Sequence, residues 1–188
     1  MPRSLLETFD EVAEAACVRT CLCRHGWLSM LDTFNATCAM ECWSPEELPN
    51  LSFAHPWASS PAFIIPWHLF GIRATSPGWT TFAVRPAPGS LTHGNISMHT
   101  VRGTVAASFA RDDARFELRV SVPGGITLAS LIVPVPASCS TLGHGSSVMA
   151  LLDGEFVAPL LVDGGSVAEF EVGAGNHEAV LWCGAAYT

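Results

Sequence analysis

The chain has 188 residues, of which 49% are hydrophobic and 14% charged, with a formal net charge of −8. Globular chains ordinarily carry about 25% charged residues, so part of this apolar excess is expected to face a partner chain. The nine basic residues are all Arg and lie scattered, which leaves no basic stripe for phosphates and excludes nucleic acid and anionic membrane as expected partners.

In chain order, the opening MPRSLLETFDEVAEAA mixes acids into its apolar positions and lacks the uninterrupted apolar run of a secretory signal. Residues 4–24 read as a helix. Ser4 and Glu7 form a capping box, Leu5, Leu6, Phe9, Val12, Ala13 and Ala16 recur at helical spacing, and Gly26 supplies the stop. WLSMLDTF suggests a further short turn of helix, and after the loop SPEELPNLSFAHP a third apolar segment runs from about residue 58 to 70. Pro61 suits its first turn, and Pro66 is expected to kink it. PAFIIPWHLFGI is the most apolar stretch, yet it is far shorter than the roughly 20 residues that span a bilayer, so a soluble protein of open location is expected.

From Gly71 the texture changes. Pro and Gly recur every 8–12 residues between β-rich runs such as TTFAVRP, GTVAASFA, RFELRVSV, ITLASLIVPV, SVMALL, SVAEFEV and HEAVLWC, a spacing that predicts an antiparallel β-sandwich. Phe116, Leu118, Val120 and Val122 alternate with Glu117, Arg119 and Ser121, so one face of that strand is expected to be dry and the other wet. VPGG, LDGE and VDGG read as hairpin turns. The expected fold class is therefore α+β: a short N-terminal helical segment over residues 1–70, then an antiparallel β-sandwich over residues 71–188.

The chain holds seven cysteines, and Cys17, Cys21, Cys23, Cys38 and Cys42 crowd its first quarter. An odd count without even spacing reads as reduced, intracellular thiols. Cys17, Cys21, Cys23 and His25 lack the second pair that a zinc site requires, so small buried side chains are the expected role, and neither metal nor cofactor is called for. His93, His99, His144 and His177 fall at turns or strand ends, where solvent exposure is expected. Trp79, Phe109, Phe116 and Trp182 read either as core or as an aromatic platform. Glu41, in NATCAMECWSPEELPN, is the one acid set among small, sulfur-bearing and aromatic neighbours without a positive charge nearby.

The order of HGWLSML, NATCAMECW, LSFAHPWASSPAFIIPWHLFGIRATSPGW and TFAVRPAPGSL resembles the C-terminal portion of bacterial-type α-L-rhamnosidases, and VAEFEVGAGNHEAVLW is similar to their closing hairpin. The resemblance implies the last helices of an α/α toroid followed by a C-terminal β-sandwich. The family's Thr-Thr-x-Trp-Glu-x-Trp motif falls on Thr37, Cys38, Ala39, Met40, Glu41, Cys42 and Trp43, which keeps the glutamate and the final tryptophan and replaces the second Thr and first Trp. By that resemblance Glu41 is the candidate general base of an inverting hydrolysis, and His55, Trp57 and Trp43 are candidate sugar contacts. Trp67 stands where the family usually has Arg. An inverting glycosidase also needs a protonated acid about 6.5–9.5 Å from the base. In the family that acid lies upstream of the matching segment, so the chain is expected not to be competent alone, as a truncated or partial enzyme would be. The alternative expectation is a non-catalytic carbohydrate-binding or protein-interaction module whose helical faces a partner chain covers.

Overall fold

A computed structural model of the chain describes residues 61–141 and 146–185. The helices expected over residues 4–24 and at WLSMLDTF, the N-terminal cysteines and the four candidate site residues Glu41, Trp43, His55 and Trp57 lie outside the described residues, as does His144. Helix α1 (Pro61–Ile64) passes directly into a π turn over Ile65–Leu69. The kink expected at Pro66 takes this form because proline has no N–H to donate and its ring crowds the carbonyl one turn earlier. The ladder widens, and the Phe70 N–H reaches the Ile65 carbonyl at 3.1 Å. Arg73 donates through Nε to the Trp67 carbonyl at 3.1 Å, which occupies an acceptor at the end of the segment. Ile64, Leu69 and Phe70 are buried, whereas Phe63 and Trp67 are exposed and meet edge to face at 6.2 Å between ring centres.

Two sheets face each other. The first holds five strands in the order β1 (Ile72–Ala74), β2 (Thr81–Val84), β6 (Leu128–Pro134), β10 (Val167–Val172) and β9 (Leu160–Val162). The second holds six, β3 (His93–Thr100), β4 (Gly103–Arg111), β5 (Arg115–Val122), β11 (Gly175–Ala185), β7 (Ser146–Leu152) and β8 (Glu155–Val157). Pairing among the described strands is antiparallel except between β2 and β6, which run parallel. The chain leaves β2, builds β3 to β5 in the opposite sheet and re-enters beside β2, and such a return sets the two strands in the same direction.

The alternation read in β5 is observed: Phe116, Leu118, Val120 and Val122 are 0–3% exposed and point into the sandwich. Phe82, Val84, Leu131, Val133 and Phe170 meet them from the five-stranded sheet, with Val105, Phe109 and Leu181 beside them. Because side chains alternate with period 2, a one-residue slip would send each of these to water, so the buried face fixes the register. Leu69 and Phe70 belong to the same core, and Phe70 packs on Phe109 at 5.4 Å. Gly71 makes that entry possible. Its φ is +64°, and a Cβ there would lie 1.9 Å from the Arg85 carbonyl oxygen, so no other residue fits.

LDGE forms a hairpin, with Asp153 at φ 52° and Gly154 at φ 84°, both positive as a two-residue primed turn between β7 and β8 requires. VDGG joins β9 to β10. VPGG departs from expectation: it carries the chain from β5 to β6, which lie in different sheets, so it is a crossing between layers and not a hairpin. The reading of all thiols as reduced is corrected at one pair. Cys139 in the short helix α2 (Ala137–Thr141) is disulfide-bonded to Cys183 in β11, with Cα atoms 5.2 Å apart. Forty-four residues separate them, so spacing alone carries no hint that the fold brings them together.

Candidate functional site

The outer face of the six-stranded sheet is the wet half of the alternation that builds the core. Along one cross-strand row Asn95 of β3 lies opposite Ser108 of β4, Ser108 opposite Arg119 of β5, and Arg119 opposite Glu178 of β11. Two residues along the strands, Ser97, Ala106, Ser121 and Asn176 form the next row. The small side chains at the centre, Ala106 and Ser108, leave a depression between the longer groups on either side. The result is an open groove of about 630 Å3, within the roughly 300–1,000 Å3 typical of small-molecule sites.

The charged side chains that line the groove, Arg119, Asp153 and Glu178, each have a partner. Arg119 donates through Nε to Glu178 at 2.7 Å and pairs with Glu117 at 2.5 Å, and Arg115 pairs with the same Glu117 at 3.0 Å. Both arginines are more than half exposed, so these pairs orient side chains more than they stabilise the fold. At the groove's end Asp153 accepts a hydrogen bond from the Glu178 N–H at 2.8 Å and contacts His177 Nδ1 at 2.8 Å. Burial raises the Asp153 carboxyl, but the Glu178 N–H and the His177 ring outweigh it and hold the group below its usual range. His177 Nε2 faces the Gly173 carbonyl at 3.1 Å, so both ring nitrogens face acceptors. Its side chain is only 16% exposed, which corrects the expectation of a solvated histidine.

A second hollow of about 390 Å3 follows along the same face, lined by His93, Arg111, Asp112, Arg115 and Glu117. No group of three or more His, Cys, Asp or Glu side chains that could hold a metal occurs among the described residues. Phe109 and Phe116 are core, Trp79 packs against that core, and Trp182 meets Phe156 at 6.0 Å between ring centres. No described helix is long and apolar enough to cross a membrane.

The groove residues were not readable as a constellation, since they come from four strands and are joined only by register. The alternation of Asn95 with Ser97 and of Asn176 with Glu178 was the available signal. In HGNISMHT it was masked by polar residues on both faces, so β3 was not read as a strand.

Residues 71–146 match the family model described as the bacterial alpha-L-rhamnosidase C-terminal domain. The fold is similar to that of the α-L-rhamnosidase from Dictyoglumus thermophilum, with a TM-score of 0.62, 19% identity and coverage of 81% of this chain and 17% of that one. It is also similar to the Streptomyces avermitilis α-L-rhamnosidase solved with L-rhamnose (TM-score 0.57, 22% identity, 79% of this chain and 14% of that one). The enzyme from Aspergillus terreus gives a TM-score of 0.51 at 21% identity over 79% of this chain and 15% of that one. The chain thus spans 14–17% of the length of these enzymes. No curated protein matches it. At these identities the structural likeness speaks for the fold alone, and the family model speaks for the likeness of residues 71–146, less than half of the chain, to the bacterial alpha-L-rhamnosidase C-terminal domain.

Proposed function

We propose that the chain serves as the C-terminal region of an α-L-rhamnosidase-like glycoside hydrolase. In this reading Glu41 is the general base, His55, Trp57 and Trp43 contact the sugar, and the chain alone is not catalytically competent. The family match over residues 71–146 supports the proposal, and the toroid role of the preceding segment is part of the proposal itself. Inverting hydrolysis divides the work between two carboxyl groups, one protonating the leaving oxygen and one activating water on the opposite face of the ring. Glu41 fills only the second role, and the acid must come from upstream toroid helices. No cofactor enters such a reaction.

The test is release of aglycone from a chromogenic α-L-rhamnoside. The 188-residue chain is expected to release none, and turnover by it would overturn the need for a second carboxyl elsewhere. Joined to the upstream part of the Streptomyces avermitilis α-L-rhamnosidase in place of that enzyme's own C-terminal portion, it is expected to turn over. Glu41→Gln should then cut kcat by about 10²–10⁴-fold, the usual worth of a positioned base. Equal rates for parent and variant would remove Glu41 from the mechanism.

A second reading, an interaction module covered by a partner chain, draws on the exposed Phe63 and Trp67 of the helical segment and on Phe156, Leu160 and Leu161 at the strand edges. A monodisperse monomer that binds no apolar dye would count against it.

A further inference from the structure

We propose that the outer face of the six-stranded sheet is a binding groove for a neutral glycan, formed by residues other than the candidate set Glu41, Trp43, His55 and Trp57. Three observations converge on that ligand class.

The first is unused hydrogen-bonding capacity. The side chains of Asn95, Ser97, Ser108, Ser121 and Asn176 all line the groove, and none of the five makes a side-chain hydrogen bond to another described residue. Two amides and three hydroxyls supply donors and acceptors in alternation, which is the complement of vicinal hydroxyls on a pyranose. The second is charge. Arg119 is held by Glu117 and Glu178, and Asp153 contacts His177. A charged ligand would therefore have to compete with partners that Arg119, Glu178 and Asp153 already have. A ligand with many hydroxyls and no charge fits both constraints. The third is length. A second hollow lies farther along the same strands, with His93 and Ala110 two residues from Asn95 and Ser108 in the β3·β4 register. Two hollows along one strand direction suit a chain of linked rings better than a single compact molecule.

The groove lining contains no Phe, Tyr or Trp, so recognition rests on hydrogen bonds that replace bonds to water. Each contributes modestly, and the affinity expected for a disaccharide is on the order of 1 mM. The groove stands on the sandwich alone. Only the choice of a rhamnoside among the probes rests on the reading given under Proposed function.

The experiment is titration of the full chain, followed by isotope-edited NMR, with L-rhamnose, a rhamnosyl-glucose disaccharide, maltose and galacturonate. Saturable shifts of Asn95, Ser108 and Asn176 resonances with a neutral sugar are the expected result. Asn95→Ala and Asn176→Ala should each weaken binding about 5- to 10-fold, the worth of one or two hydrogen bonds. Ser108→Trp should abolish it by filling the groove floor. All three changes lie on the wet face, and an unchanged amide spectrum elsewhere confirms that each variant is folded. Absence of saturable shifts with every neutral sugar overturns the proposal, as does binding of galacturonate alone or binding that Ser108→Trp leaves intact. Binding of maltose but neither rhamnose probe upholds the groove and counts against the rhamnoside reading.

Discussion

Asp153 does three things at once at the end of β11. Its positive φ turns the β7–β8 hairpin, its N–H donates to the Glu178 carbonyl at 2.8 Å, and its carboxylate receives the Glu178 N–H and meets His177. The carboxyl is consequently held below its ordinary value of 3.8 despite the opposing push of burial. A depressed carboxyl binds protons less readily in the folded state than in the unfolded one, so its contribution to stability is fully present above the unfolded pKa of about 4. That contribution is lost as the pH falls through the folded value. The Asp153→Asn variant, which cannot ionise, should be less stable than the parent near neutrality, and the gap should close as the pH is lowered from about 4 towards 2. Urea unfolding across that range measures it. A gap that stays constant with pH would mean the carboxylate's charge is irrelevant and only the turn matters. His68 responds in the same direction at higher pH: burial, then the nearby Arg73, lower its pKa, so protonation below about 6.5 opposes the fold.

At the scale of elements, the pairing of α2 with β11 is covalent, through Cys139 and Cys183. Closing a loop of 44 residues removes chain entropy from the unfolded state worth about 4 kcal/mol in the loop-closure model. Reductant, or the double change Cys139→Ser and Cys183→Ser, should lower the urea midpoint by about 2 M at an m-value of about 2 kcal/mol/M. The reduced parent and the double variant should unfold together, and a midpoint indifferent to reductant would show that the bond constrains nothing. The same pair marks a boundary of what sequence reading reached. β5 was legible to the residue, because Arg115 to Val122 alternates cleanly between a dry and a wet face. β1, β8 and β9 were missed because strands of three residues carry too short a pattern to be distinguished from loop. The layer change at VPGG was missed for another reason. Turn chemistry specifies that the chain reverses, whereas the sheet it enters is decided by which apolar face must be covered. The groove and the disulfide share that cause, since both bring together residues that only the completed register makes neighbours.

The whole molecule couples the helical segment to the sandwich. The family match begins at residue 71, yet the core does not stop there: Leu69 is 7% exposed and Phe70 2%, and Phe70 lies against Phe109 of β4 in the six-stranded sheet. The Ala87 N–H bonds to the Leu69 carbonyl at 2.9 Å, and the Arg85 N–H to that of Gly71 at 3.2 Å, so backbone as well as side chains fix the entry. A polypeptide beginning at Pro61 and one beginning at Gly71 should therefore differ sharply in stability. Burial of Leu69 and Phe70 contributes about 3–6 kcal/mol, taken as an upper figure because the unfolded chain already hides some of this surface. That is a large share of the 5–15 kcal/mol by which a domain is ordinarily stable. The shorter polypeptide should unfold at markedly lower urea concentration, with a smaller m-value because less surface is exposed on unfolding. Coincident unfolding curves would mean that the segment merely rests on the sandwich. The expected separation would make Leu69 and Phe70 part of the sandwich's own cooperative core, with Phe109 as the contact through which Phe70 is held.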